Sequence, residues 1–364
     1  MSDQANSRAR IAALDILRGF FMFWLVTGDG FPDAFRKIGD TGLWAFLARQ
    51  LDHCPFEGFT FYDVIFPGFL FVMGTAIVPS LDAAIAREGK SAVLTRVLRR
   101  TLILLLLGAF MHGGMKSFPS PGLLFGVLQR LAYSYGIVCL LYMFLRPRAQ
   151  AAVFVGVLVA YWIWLCFVPL PTTGVVTLTR QDNWCRYAES YLPPYVDTAE
   201  GVISGIPAVM SCLLGVFAGR WLGRADVHGA RKAWVLIAAG VAMLVLGYAW
   251  GLHFPIVKRI WSSTYVSVAG GYCLLLLGAL NYLVDVKKVP TTWALPFTWI
   301  GMNPLAIYIT LNIVDFNALG ARLAGGPLAG AFGNADALVI AIAGAALGVA
   351  FAWYLNHKKV YIRL

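Results

Sequence analysis

Long stretches in which apolar side chains run almost without interruption follow one another along the chain, separated by shorter polar segments. Within each stretch the apolar residues are continuous instead of alternating. A run of this kind reads as a helix that crosses hydrocarbon and not as a strand of a membrane barrel. The spans predicted in this way are 11–27, 60–79, 101–113, 123–145, 151–168, 203–222, 233–252, 264–284, 293–313 and 335–354. The expected fold class is therefore all-α, a polytopic membrane helix bundle of about ten transmembrane helices.

Composition sharpens this picture. Of the 364 residues, 59% are hydrophobic and 13% charged, about half the charged share of a soluble domain. The net charge of +11 raises nucleic acid as a partner, and the distribution of that charge removes it. Lys and Arg concentrate in linkers 81–100, 146–148, 220–232 and 287–288 and near 358–363. The alternate loops hold only the sparser Arg36, Lys37, Arg49, Lys116, Arg180, Arg186, Lys258, Arg259 and Arg322. The positive-inside rule then sets both termini in the cytoplasm, and the lipid bilayer, with no nucleic acid, accounts for the charge. The first ten residues are polar and lead into a helix with no small-residue cleavage pattern, so no removable signal peptide is expected. No soluble domain separates from the runs, and residues 1–364 read as one transmembrane domain. Its longer outer loops, 28–59 and 169–202, suggest a face that handles substrate.

In so apolar a chain the polar side chains stand out. His53 lies between Asp52 and Glu57 and shortly before Asp63, at the entrance of the second span. An imidazole exchanges protons near neutral pH, and acids beside it can orient it and stabilise its cation. Asp63 stands about one turn inside the span, where a carboxylate needs a partner; His53 and Arg130 are the two candidates. Gln129 and Arg130 interrupt an otherwise apolar run, and a guanidinium there can grip a carboxylate or a phosphate. Asp15 and Arg18, three apart, share one helical face and can pair. Asn303 and Pro304 interrupt the ninth span, where Asn303 either repairs the break or meets a substrate. His112 is a second, weaker histidine candidate. Each site has a plainer counterpart: an interfacial loop, a structural ion pair, a mended kink. No group of residues has the spacing of metal ligands, so no metal is expected, and no phosphate-binding glycine loop is present. Cys139, Cys166, Cys212 and Cys273 fall inside spans as small core residues. Cys54 and Cys185 fall in outer loops, where an oxidising compartment permits a disulfide between them.

Five stretches, in order, carry a resemblance to a known family. They are Leu14-Asp15-Ile16-Leu17-Arg18-Gly19-Phe20; His53 with Gly58-Phe59-Thr60-Phe61-Tyr62-Asp63-Val64-Ile65-Phe66-Pro67; Leu128-Gln129-Arg130-Leu131-Ala132; Lys258-Arg259-Ile260-Trp261-Ser262; and Trp299-Ile300-Gly301-Met302-Asn303-Pro304-Leu305. Together they resemble the transmembrane acyltransferases that include lysosomal heparan-alpha-glucosaminide N-acetyltransferase and bacterial relatives. The resemblance implies transfer of an acetyl group from cytoplasmic acetyl-CoA, the donor substrate, to the amino group of a sugar or glycan across the membrane. It matches His53 to the family histidine implicated in transfer and sets Asp63, Glu57 and Asp29 beside it as catalytic candidates. Arg18, Gln129, Arg130, Lys258, Trp261 and Asn303, polar or aromatic positions within the same stretches, are the donor-binding candidates. The chain departs from the family's usual Trp-Asn-Gly or Trp-His-Gly by offering Phe56-Glu57-Gly58. The expected setting is a bacterial inner membrane, crossed many times, with a homodimer left open. The competing reading is a transporter of a polar solute that uses the same intramembrane Arg and Asp residues. No internal repeat favours it.

Overall fold

A computed structural model describes residues 12–111, 126–191, 201 and 203–361; within these, the side chains of Val26 and Asp29 lie outside the description. Among the described residues the secondary structure is helical with no strand, and one isolated bridge joins Glu57 to Val257. The helices are α1 (Ala12–Thr27), α2 (Phe31–Ile38), α3 (Gly42–Gln50), α4 (Ile65–Met111), α5 (Val127–Phe144), α6 (Pro147–Phe167), α7 (Trp184–Glu189), α8 (Gly205–Leu222), α9 (Gly229–Gly251) and α10 (Ser263–Leu280). They continue as α11 (Leu295–Met302), α12 (Pro304–Ile313), α13 (Phe316–Ala324), α14 (Pro327–Gly330) and α15 (Asp336–His357).

Seven of the described helices are long and apolar enough to cross a membrane, and the bent pair α11–α12 makes an eighth. The expected count of about ten differs for two reasons. The described part of α1 is 16 residues long, below the roughly 17–25 residues of a crossing helix. Spans 60–79 and 101–113 belong to one helical element, α4, of 47 residues. Ideal geometry makes such a helix about 70 Å long, more than twice the hydrocarbon thickness of about 30 Å. It is broken at Gly89, whose backbone sits at φ 79°, a left-handed conformation that a residue without Cβ adopts readily. Leu81 and Ala84 before the break share one apolar cluster with Val93 and Val97 after it. Two arms, not one rod, are the working units, and α4 counts once among the eight although it holds both predicted spans.

The chain forms two compact units: Gly39–Arg224 with Gly240–Cys273, and the remaining segments up to Ile38, Ala225–Ala239 and from Leu274 onward. In the unit that contains His53, α4 and α8 touch backbone to backbone. A Cβ on Gly74 would meet the carbonyl of Cys212, one on Gly215 that of Phe71, and one on Gly219 that of Thr75. Lipid tails are as apolar as Leu, so helices in a bilayer gain by close van der Waals approach, and small residues permit it. Around this crossing Leu70, Ile77, Leu213, Val216, Trp261 and Tyr265 are fully or almost fully buried. In the other unit the same device recurs, with Gly19 against the Phe297 carbonyl and Gly301 against that of Asp15. There α11 and α12 bend by 74° at Asn303, where Pro304 ends the upstream backbone ladder.

Candidate active site

The site grows from a helix start. Thr60, in extended conformation, precedes the turn Phe61–Val64 that leads into α4. The Thr60 backbone N–H donates to Asp63 Oδ2 at 3.2 Å, and the Cys54 N–H reaches the same oxygen at 3.3 Å. The Thr60 hydroxyl stands 2.7 Å from the Asp52 carbonyl and 3.0 Å from Asp63 Oδ2, and donates to one of them at a time. Tyr265 on α10 donates its hydroxyl to the Asp63 carbonyl at 2.7 Å. The Asp63 carboxylate is completely buried. Burying a charge costs several kcal/mol unless donors and opposite charge surround it. Here both are supplied.

The remaining oxygen, Asp63 Oδ1, faces His53 Nδ1 at 3.0 Å. With the proton on Nδ1 donated to Asp63, Nε2 carries the lone pair; this tautomer follows from the hydrogen bonding. The imidazole is 51% exposed and lies on the ring of Tyr62, with centroids 4.7 Å apart. The Asp52 carboxylate holds the His53 backbone N–H at 2.7 Å. A third charge completes the group: Lys258 Nζ lies 2.9 Å from Nδ1, 3.1 Å from Nε2 and 3.6 Å from Asp63 Oδ1. An ammonium can only donate, so its acceptor on the ring is Nε2.

Lys258 reaches this position because two distant loops are stitched together. The Gly58 N–H donates to the Ile256 carbonyl at 2.8 Å, beside the Glu57–Val257 bridge. Ser262 tightens the turn that follows Lys258, accepting from the Val257 N–H through its hydroxyl at 3.0 Å. Trp261 anchors the turn from below. Its backbone has φ 51°, a strained left-handed value for a bulky residue. Its buried indole donates to Ser211 at 3.3 Å and packs edge-on against Phe66 and Tyr265.

The structure thus brings His53, Asp63 and Lys258 together and disposes the other candidates differently. Of the two partners expected for Asp63, His53 is the one that meets it. The Arg130 guanidinium is 1% exposed, donates to Ser204 at 2.8 Å and stands 4.8 Å over the Trp261 ring. Gln129, one residue earlier and so about 100° around the helix, lies against Gly108. Glu57 is exposed and enters through its backbone, whose carbonyl accepts from the Cys54 thiol at 2.9 Å. In the other unit, Arg18 and Asp15 pair as expected at 3.5 Å. There Asn303 donates to the Val360 carbonyl at 2.6 Å, which ties the bend to the segment after α15. The Asp29 side chain and His112 lie outside the described residues. Cys54 and Cys185 stand as free thiols, because Cys185 is buried beside the Tyr161 hydroxyl at 3.5 Å while Cys54 turns to Glu57. The disulfide that an oxidising exterior would permit is therefore not formed. Burial pushes the Cys185 thiol up to about 12. Partial burial, and then the charge of Asp63, raise that of Cys54. Among the described residues no group of His, Cys, Asp and Glu is arranged to hold a metal.

Sequence reading left out Thr60 and Tyr265. Thr60-Phe61-Tyr62-Asp63 before an apolar run is a capping-box signature, so Thr60 was recoverable; Tyr265, 202 residues from Asp63, left no local sign.

No family model matches the chain. It is 24% identical, over an alignment of 421 residues, to the heparan-alpha-glucosaminide N-acetyltransferase of Mus musculus, covering 99% of this chain and 61% of that protein. It is 23% identical over 369 residues to the Homo sapiens protein of the same name, covering 84% and 53%. The chain is a distant relative of these N-acetyltransferases. It spans between about half and three fifths of the length of the curated relatives it matches.

Proposed function

We propose that the chain is a membrane acyltransferase that moves an acetyl group from acetyl-CoA to the amino group of a sugar. The observation that carries this reading is the group of His53, Asp63 and Lys258: an exposed imidazole backed by a buried carboxylate, with an ammonium at its open edge. In a chain distantly related to N-acetyltransferases, such a group suits acyl transfer.

The acceptor amine attacks the thioester carbonyl, and a C–N bond forms as the C–S bond breaks. His53 Nε2 takes the proton that the amine loses. The imidazolium so formed is held by Asp63 through Nδ1–H. The departing thiolate of CoA takes up a proton as it leaves. Lys258 swings from Nε2 toward the oxyanion that develops on the thioester carbonyl, where a fixed positive charge lowers the barrier. A route through a transient acetyl-His53 uses the same nitrogen as nucleophile. Arg18, partly exposed on α1, remains the donor-phosphate candidate. Arg130, Gln129 and Trp261 serve the frame around the reaction. The donor enters from the basic, cytoplasmic face, and His53 works on the opposite one.

Purified protein supplied with radiolabelled acetyl-CoA and a panel of amino sugars tests this reading; an acetylated sugar supports it. One observation favours the transporter alternative: the 74° break between α11 and α12, a form common in carriers. Uptake of an unmodified solute into proteoliposomes, without acetyl transfer, is the result that would establish it.

A further inference from the structure

Thr60 stands between the two segments that carry the reacting pair. The residue is buried, and its hydroxyl lies 2.7 Å from the Asp52 carbonyl and 3.0 Å from Asp63 Oδ2. It has one hydrogen to give and two acceptors in reach. The first acceptor is neutral and belongs to the backbone just before His53. The second belongs to the carboxylate that meets the imidazole at 3.0 Å through its other oxygen. A bond to an ionised acceptor is roughly twice as strong as one between neutral groups. Where the hydroxyl points therefore depends on how much of the Asp63 charge is met elsewhere.

That amount changes as a proton comes and goes. With His53 neutral, the sealed carboxylate draws on Lys258 at 3.6 Å and on three donors at Oδ2, the Cys54 and Thr60 N–H groups and the Thr60 hydroxyl. When Nε2 accepts a proton, the imidazolium brings a full charge to Oδ1, and the hydroxyl is released to the Asp52 carbonyl. The other ionisable groups around the pair are engaged away from Oδ2. The Asp52 carboxylate holds the His53 N–H, the Cys54 thiol turns to the Glu57 carbonyl, and Tyr265 of α10 donates to the Asp63 carbonyl. Tyr62 lies under the imidazole, and the charge of Arg49 on α3 acts on the Cys54 thiol. We infer, on the acyltransferase reading, that Thr60 is a positioning residue whose hydroxyl moves between Asp63 and Asp52 as His53 loses and gains its proton. A donor to a carboxylate shares its charge. One that serves mainly while the imidazole is neutral favours the neutral imidazole. His53 is thereby kept ready to act as a base.

The test is the pH dependence of kcat/KM for the whole protein in phosphatidylcholine vesicles, with labelled acetyl-CoA and glucosamine. The acid limb of that profile reports the free enzyme's base. Thr60→Val keeps the shape without the donor, so Asp63 holds an imidazolium more tightly. The midpoint of the limb moves to higher pH by about half a unit to one unit, and Thr60→Ser returns it to that of the parent. A hydroxyl that only held Asp63 in place predicts the reverse, because a loosened carboxylate holds the imidazolium less well. A midpoint that falls or stays in Thr60→Val overturns the inference, whatever the height of the plateau. Should that variant fail to insert, Thr60→Cys, whose S–H is a weak donor, raises the midpoint by less; no rise overturns the inference equally. A titration without turnover separates the inference from the reading on which it rests. Diethyl pyrocarbonate modifies the neutral imidazole, and peptide mass spectrometry follows its reaction at His53 against pH. A midpoint raised in Thr60→Val, with no acetyl transfer to the whole panel of amino sugars, ends the acyltransferase reading and leaves the coupling of Thr60 to His53 standing. Acetyl transfer with an unmoved His53 midpoint does the opposite.

Discussion

At His53 the ring is half exposed while the carboxylate behind it is sealed from solvent, so the proton-accepting edge is open and the orienting edge is fixed. A positioned base of this kind contributes about 100- to 10,000-fold. His53→Ala should lose acetyl transfer by that order in kcat, with the helical content and unfolding midpoint of the protein retained. Near-normal turnover of the well-folded variant would move the reaction elsewhere. Lys258→Gln keeps much of the side-chain length without the charge and should lower kcat by about 100- to 1,000-fold. Lys258→Arg should restore part of it. Single-turnover acetyl transfer reads both. The two thiols offer a test without an acceptor. Cys185 is buried with its thiol pushed up to about 12, and the thiolate is the reactive form. It should therefore resist iodoacetamide at pH 8 in folded protein, while the partly exposed Cys54 is labelled slowly; peptide mass spectrometry distinguishes them. Recovery of a Cys54–Cys185 cross-linked peptide would contradict the arrangement. His53 and Asp63 were legible in the sequence because ionisable residues are rare in so apolar a chain and therefore conspicuous. The place of Lys258 was not. It belongs to a loop 205 residues away from His53, where no periodicity announces a partner.

At the scale of elements, the apolar runs announced most of the crossing helices, since a bilayer demands about 20 apolar residues whatever the detailed packing. Two features escaped this logic. The break at Gly89 falls in a polar, basic linker that carries helix on both sides, and hydropathy does not distinguish such a linker from a loop. The contacts of Gly74 with α8 and of Gly215 and Gly219 with α4 depend on which helices face each other, and a single run does not contain that information. They carry a prediction. Gly215→Val would drive its side chain into the Phe71 carbonyl. Overpacking of this kind costs about 1–3 kcal/mol or more. The unfolding midpoint in detergent should drop by several degrees, and Gly156→Val, at a position with open space, should change it little. Equal effects of the two substitutions would show that the α4–α8 crossing is looser than described.

Over the whole molecule, charge asymmetry makes a claim that single residues cannot. The basic linkers alternate with sparsely charged loops, and the His53 and Lys258 segments, assigned independently to the same side, meet in the structure at 2.9 Å. Reporter fusions inside 172–180 and after Tyr361 should therefore report opposite sides of the membrane. Reporters on one side would undo the assignment and the direction of transfer proposed here. Both loops must be in place for that meeting, which has a consequence for biosynthesis. A nascent chain that ends before Lys258 can insert its early helices and fold α4 against α8, yet its imidazole lacks the Glu57–Val257 stitch and the ammonium beside it. Contacts this distant in sequence form late. Competence should then appear as a step late in synthesis, and a growing chain would expose His53 without the complete chemistry to misdirect an acetyl group.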